Sequence, residues 1–173
     1  ELPLAETWDL SLLYQDQAAY EAAVEGLKKQ VTEFEANYAG TLGQAQQLEK
    51  ALADYEAIQV AISWVSHYGS LAYETDKLDA QNEANAVGLD QLFELVGAKL
   101  AFLAPELSAL DEAYLREFSQ SDKGKRYAGY LNEVLRLKPS VLSKEVEELL
   151  SSFQSSLYNQ YSLYGTLKFQ DLT

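Results

Sequence analysis

The stretch from Gln44 to Tyr73 limits the possible folds more than any other part of this chain. Leu48, Leu52, Tyr55, Ile62, Gly69 and Tyr73 fall along one side of it at helical spacing. Its 30 residues, at about 1.5 Å each, make a rod about 45 Å long. A compact domain of this length has a radius of gyration of only about 16 Å. Such a helix crosses the whole molecule, so the spacing predicts an elongated, multi-helix, all-α bundle built around one domain-spanning helix.

The flanking segments carry the same period. Asp16 is placed to cap a helix running to about Tyr38, with Tyr20, Val24, Leu27, Val31 and Phe34 three or four apart. Gly40 and Gly43 break it. A third helix is predicted from about Ala80 to Leu103, interrupted by Pro105, with a short turn restarting at Glu106. Asp111 heads a short helix to about Phe118, and Asp122 precedes one that includes Tyr127, Tyr130, Leu131, Val134 and Leu135. Pro139 ends that element. Ser143 then caps a last long helix through Leu149, Leu150, Phe153, Leu157 and Tyr161. After Gly165 the alternation Leu167, Phe169 reads as a strand with nothing to pair with inside a helical bundle. The expected organisation is a helical domain over residues 1–165, with 166–173 as the first strand of a missing downstream region.

Composition narrows the function classes. Lys+Arg 13 against Asp+Glu 27 leaves a formal charge of −14. That balance disfavours nucleic acid, whose binding draws on counterion release by basic residues, and disfavours anionic membrane surfaces equally. The longest apolar run is far too short to span a bilayer. ELPLAETWDL has no basic segment followed by an apolar core, so no signal peptide is visible. The absence of cysteine excludes a disulfide framework, a thiolate metal site and a cysteine nucleophile, and fits a cytoplasmic protein.

His67 is the one histidine. Projection at 100° per residue puts Glu56, Ser63, His67, Ser70 and Glu74 in one sector of about 60°, with Trp64, Tyr68 and Leu71 on another side. This polar strip faces either bulk water or a cleft, and Ser63, His67, Ser70 and Glu74 are the candidate cleft-lining residues. Ser63 and His67 stand four apart, but mid-helix N–H groups are already used, so no local oxyanion hole forms. His67 and Glu74 lie about 10 Å apart along the axis, and zinc needs three or four ligands at about 2 Å. No catalytic and no metal residue is therefore assigned in this chain. The acidic run EVEE (145–148) lacks EF-hand spacing, and no glycine-rich phosphate loop is present. The 12 tyrosines fit the edge of a core, ring buried and hydroxyl wet. Composition alone also allows a free-standing acidic helical interaction module without enzymatic activity.

Five stretches in order resemble the oligoendopeptidase F family, among the thimet-like zinc metallopeptidases. They are TWDLSLLY (7–14), SLAYETDKLDAQNEA (70–84), LAFLAPELSAL (100–110), YLNEVLRLKPSVLSKEVEELL (130–150) and LYGTLKFQDLT (163–173). The resemblance implies the amino-terminal helical domain of a cytoplasmic zinc metalloendopeptidase that cleaves short oligopeptides. In that family such a region forms one wall of the substrate channel and restricts substrate size. The zinc and the catalytic residues belong to a later domain carrying HExxH, so the resemblance implies zinc in the full-length parent and none bound by this segment. It further implies that the segment alone is inactive, and that its partners are peptide substrates and the missing catalytic domain.

Overall fold

The computed structural model describes residues 9–140 together with 142, 145, 146, 149, 150, 152 and 153. The predicted cap at Ser143, the helix positions Leu157 and Tyr161, and the strand over 166–173 lie outside the described residues.

Among the described residues, a 3-10 turn at Leu10–Leu12 is followed by the helices α1 (Gln17–Tyr38), α2 (Ala45–Thr75), α3 (Ala80–Leu100), α4 (Leu103–Ala109), α5 (Glu112–Gln120) and α6 (Ala128–Leu137). The fold is all-α, with no strand among the described residues. Local chemistry starts three of the helices. The carboxylate of Asp16 accepts the N–H of Ala19 at 2.8 Å, that of Asp79 accepts from Gln81 and Asn82 at 2.9 Å, and that of Asp111 accepts from Tyr114 at 3.0 Å. Each satisfies donors that the first turn cannot satisfy itself.

The long helix is present at 31 residues. The stacked pair Tyr20–Tyr68 at one end and the Phe34–Tyr55 contact at the other set α1 antiparallel to α2. Gln17 meets Asn85 and Glu35 meets Lys99, so α3 runs parallel to α1. These three helices close on Leu27, Val31, Leu48, Leu52, Val65 and Leu92, none more than 2% exposed. The approach is tightest at Gly69, where an added Cβ would lie 2.8 Å from both Leu89 Cδ1 and the Tyr20 hydroxyl. Gly88, on α3, has nothing within 4 Å of the same position. Gly69→Ala is therefore expected to destabilise by about 1–3 kcal/mol through overpacking, despite the better helix propensity of alanine. Gly88→Ala is expected to stabilise by up to about 1 kcal/mol. Urea unfolding of the two variants side by side checks the opposite signs.

The third predicted helix needs correction at its end. It stops at Leu100 rather than Leu103, and Pro105 lies inside the first turn of α4 instead of ahead of it. Had α3 continued, the proline ring would have struck the carbonyl of residue 101. Restarting at Leu103 puts the missing N–H where a helix has no acceptor for it. Asp122 precedes α6, as read, at some distance from its first turn. It pairs with Lys125 at 2.8 Å, and Tyr127 closes a 3-10 turn before α6 begins.

Helices α4 to α6 form a second layer against α1 and α2. Phe102 packs on Phe34 at 5.8 Å, and Tyr130 on Tyr55 at 5.4 Å. Polar ties surround these contacts. Glu106 accepts the N–H of Gly40 at 2.7 Å, Lys123 pairs with Glu49 at 2.6 Å, and Arg126 pairs with Glu56. Gly40 holds φ +79°, a conformation that glycine adopts without strain, in the turn that follows α1.

Candidate functional site

The middle of α2 keeps Ser63, His67, Ser70 and Glu74 on one exposed face. The ring of His67 and the hydroxyl of Ser70 turn back on their own helix. Nδ1 of His67 donates to the Ser63 carbonyl at 2.5 Å and lies 3.4 Å from the Ser63 hydroxyl. The hydroxyl of Ser70 donates to the Ser66 carbonyl at 2.6 Å, and that of Ser66 to the Ser63 carbonyl at 3.0 Å. Glu74 pairs with Lys77 at 3.0 Å. With Nδ1 held by the helix, Nε2 is the ring nitrogen left to meet anything laid along this exposed face. The face can offer hydrogen bonds to something laid along it, but it does not align a nucleophile with a base.

Two neighbours alter this surface. Val60 and Trp64 are 54% and 46% exposed, so an apolar edge flanks the polar strip. The ring of Tyr14 meets that of Trp64 edge-on, centroids 6.5 Å apart and planes at 74°, which orients the indole. Glu56, which projection places on the strip, is drawn to Arg126 instead. The spacing within α2 carried no signal for that pairing, because Arg126 arrives from 70 residues further along the chain.

Zinc, implied by the family resemblance, does not fit these residues. Among the described residues no three of His, Cys, Asp and Glu are grouped to hold a metal ion. His67 brings a single nitrogen, with its other one already bonded to the backbone.

Among the described tyrosines most are half-buried, as edge packing implies, while Tyr20 and Tyr38 are buried in the core. Burial pushes the Tyr20 hydroxyl up to about 12, with Tyr14 and Tyr68 adding to the effect. Tyr38 is likewise pushed up to about 12, by burial and by donating to Asp54 at 2.5 Å. Burial also raises Tyr130, with Tyr55 beside it. An unfolded tyrosine ionises near pH 10, so the folded chain holds protons there that the unfolded chain releases. The stability these groups contribute is complete below about pH 10 and falls as pH rises toward about 12. Ultraviolet titration is expected to show a late-ionising class that loses one member in Tyr38→Phe. A single step near pH 10 for every tyrosine would contradict the burial.

Fold and strip define the class: an all-α bundle with an exposed polar face on its longest helix. Among the described residues no helix is long and apolar enough to cross a membrane. The sequence of this bundle has relatives. A family model described as Oligopeptidase F matches residues 106–173. The chain is 21% identical to Oligopeptidase PepF of Bacillus subtilis, over 100% of this chain and 26% of that protein. It is 23% identical to an Oligoendopeptidase F homolog of Borreliella burgdorferi, over 96% of this chain and 28% of the relative. It is 25% identical to a plasmid Oligoendopeptidase F of Lactococcus lactis subsp. cremoris, over 88% of this chain and 26% of the relative. No solved structure matches. The chain is thus similar in sequence to oligoendopeptidases of type F, and it spans about a quarter of the length of the curated relatives it matches.

Proposed function

We propose that this chain is the amino-terminal helical domain, over residues 1–165, of a cytoplasmic zinc metalloendopeptidase that cleaves short oligopeptides. One observation carries the reading: similarity to oligopeptidases extends through the whole chain yet spans only a quarter of each relative. On this reading zinc and the catalytic groups belong to the rest of the parent, and residues 166–173 begin its next region. The helical domain acts by shape, forming a wall of the substrate channel. Ser63, His67, Ser70 and Glu74 line that wall, beside the oriented indole of Trp64. His67 Nε2 accepts a hydrogen bond from a peptide N–H, which orients substrate without joining the chemistry.

The test uses the full-length parent. Chelating zinc is expected to abolish cleavage of short peptides, whereas the 173-residue chain neither binds zinc nor cleaves. His67→Ala in the parent is expected to raise KM about two- to tenfold, one hydrogen bond's share, with kcat and unfolding unchanged. Unaltered KM across a panel of peptides would put the strip in bulk water.

A further inference from the structure

Four large apolar side chains near the end of the described residues remain in water. Val146, Leu149, Leu150 and Phe153 are 40%, 56%, 50% and 54% exposed. Each is in helical backbone, and the hydroxyl of Ser152 donates to the Leu149 carbonyl at 2.6 Å within the same turn. The spacing i, i+3, i+4, i+7 puts all four on one face of that helix. Comparable spacing on α1 buries Leu27, Val31 and Phe34, none more than 2% exposed. A stripe of the kind that closes the core is thus presented outward here. Single exposed apolar residues are ordinary, whereas contiguous ones mark a surface that another surface covers.

We infer that this stripe docks on an apolar face of the parent peptidase, in the part of it outside this chain. The docking rests on the proposed reading of the chain as one domain of a longer peptidase, and it gives that domain its seam with the rest. Two observations choose this occupant. The chain spans only 26–28% of the relatives it matches, so a parent of their size keeps most of its surface outside these residues. A second copy of the chain is the other candidate, and charge opposes it. Each copy carries −14, and Glu145, Glu147 and Glu148 stand in the same stretch as the stripe. Pairing stripe to stripe would set like charges against each other.

Thiol labelling tests this, because the chain has no cysteine of its own. Leu149→Cys and Phe153→Cys are each made in the 173-residue chain and in the full-length parent, with circular dichroism to confirm folding. Maleimide uptake at the new thiol is followed by mass spectrometry of the peptide that carries it. In the chain alone both thiols are expected to react nearly as fast as in urea. In the parent both are expected to react at least about tenfold more slowly, since a covered site reacts only through local opening. Equal rates in chain and parent would overturn the proposal, and if that parent still cleaves peptides the peptidase reading stands. Slowing in a parent that cleaves no peptide would support the docking and sink the peptidase reading. Slow labelling of the chain alone, deepening with its concentration, would overturn the proposal in favour of a second copy.

Discussion

Phe102→Ala is expected to lower the unfolding free energy by about 3–5 kcal/mol. The ring is 1% exposed and lies where α3 gives way to α4. It stacks at a tilt on Phe34, which in turn touches Tyr38 and Tyr55. Truncation therefore removes the ring's own burial and opens a void that three elements cannot collapse together, because each is held by other contacts. Domains have total stabilities of only about 5–15 kcal/mol, so the variant sits near its unfolding threshold. Urea denaturation followed by circular dichroism measures the loss. Phe102→Leu, which refills most of the volume, should recover more than half of it. A cost below about 1 kcal/mol would mean that the second layer is not packed on the first at this point.

Gly124→Ala is expected to cost about 3 kcal/mol or more, at the upper end of overpacking. The reason is proximity, not backbone angle: φ is −95°, open to any residue. An added Cβ would lie 1.9 Å from the Phe118 carbonyl oxygen and 2.6 Å from its carbon. Backbone cannot swing aside as a side chain can. The carbonyl concerned also accepts the Ser121 N–H at 3.0 Å, so displacing it strips the end of α5 of that bond. Gly129→Ala on α6, with nothing within 4 Å, is the control and should be neutral or slightly stabilising. If Gly124→Ala unfolds at the same urea concentration as the parent chain, the close approach is not maintained in solution.

Helix positions were legible in the sequence wherever the cause was local. Asp16 and Asp111 cap as read, because the cap and its donor lie within three residues. Pro105 was legible as a breaker but not as to which turn breaks, since a proline fits the first turn of one helix as well as the gap between two. The face carrying Ser63, His67, Ser70 and Glu74 followed from the period alone. What surrounds that face did not. Arg126, 70 residues along from Glu56, takes that glutamate away, and Tyr14 turns Trp64. Projection of one helix carries no information about residues that arrive from elsewhere in the chain. Gly124 illustrates the same limit more sharply, because nothing in KGKR shows that a carbonyl six residues earlier will press on it.

The ties between the two layers also bear on the order in which the molecule assembles. Lys123 meets Glu49 across 74 positions, whereas α1 and α2 meet through a short turn. Long loops cost more entropy to close, and distant pairings slow folding. The α1–α2 hairpin is thus free to form early, and the α4–α6 layer docks onto it afterwards. Substitutions along that seam then act mainly by hastening the escape of the native state and leave the rate of reaching it nearly unchanged.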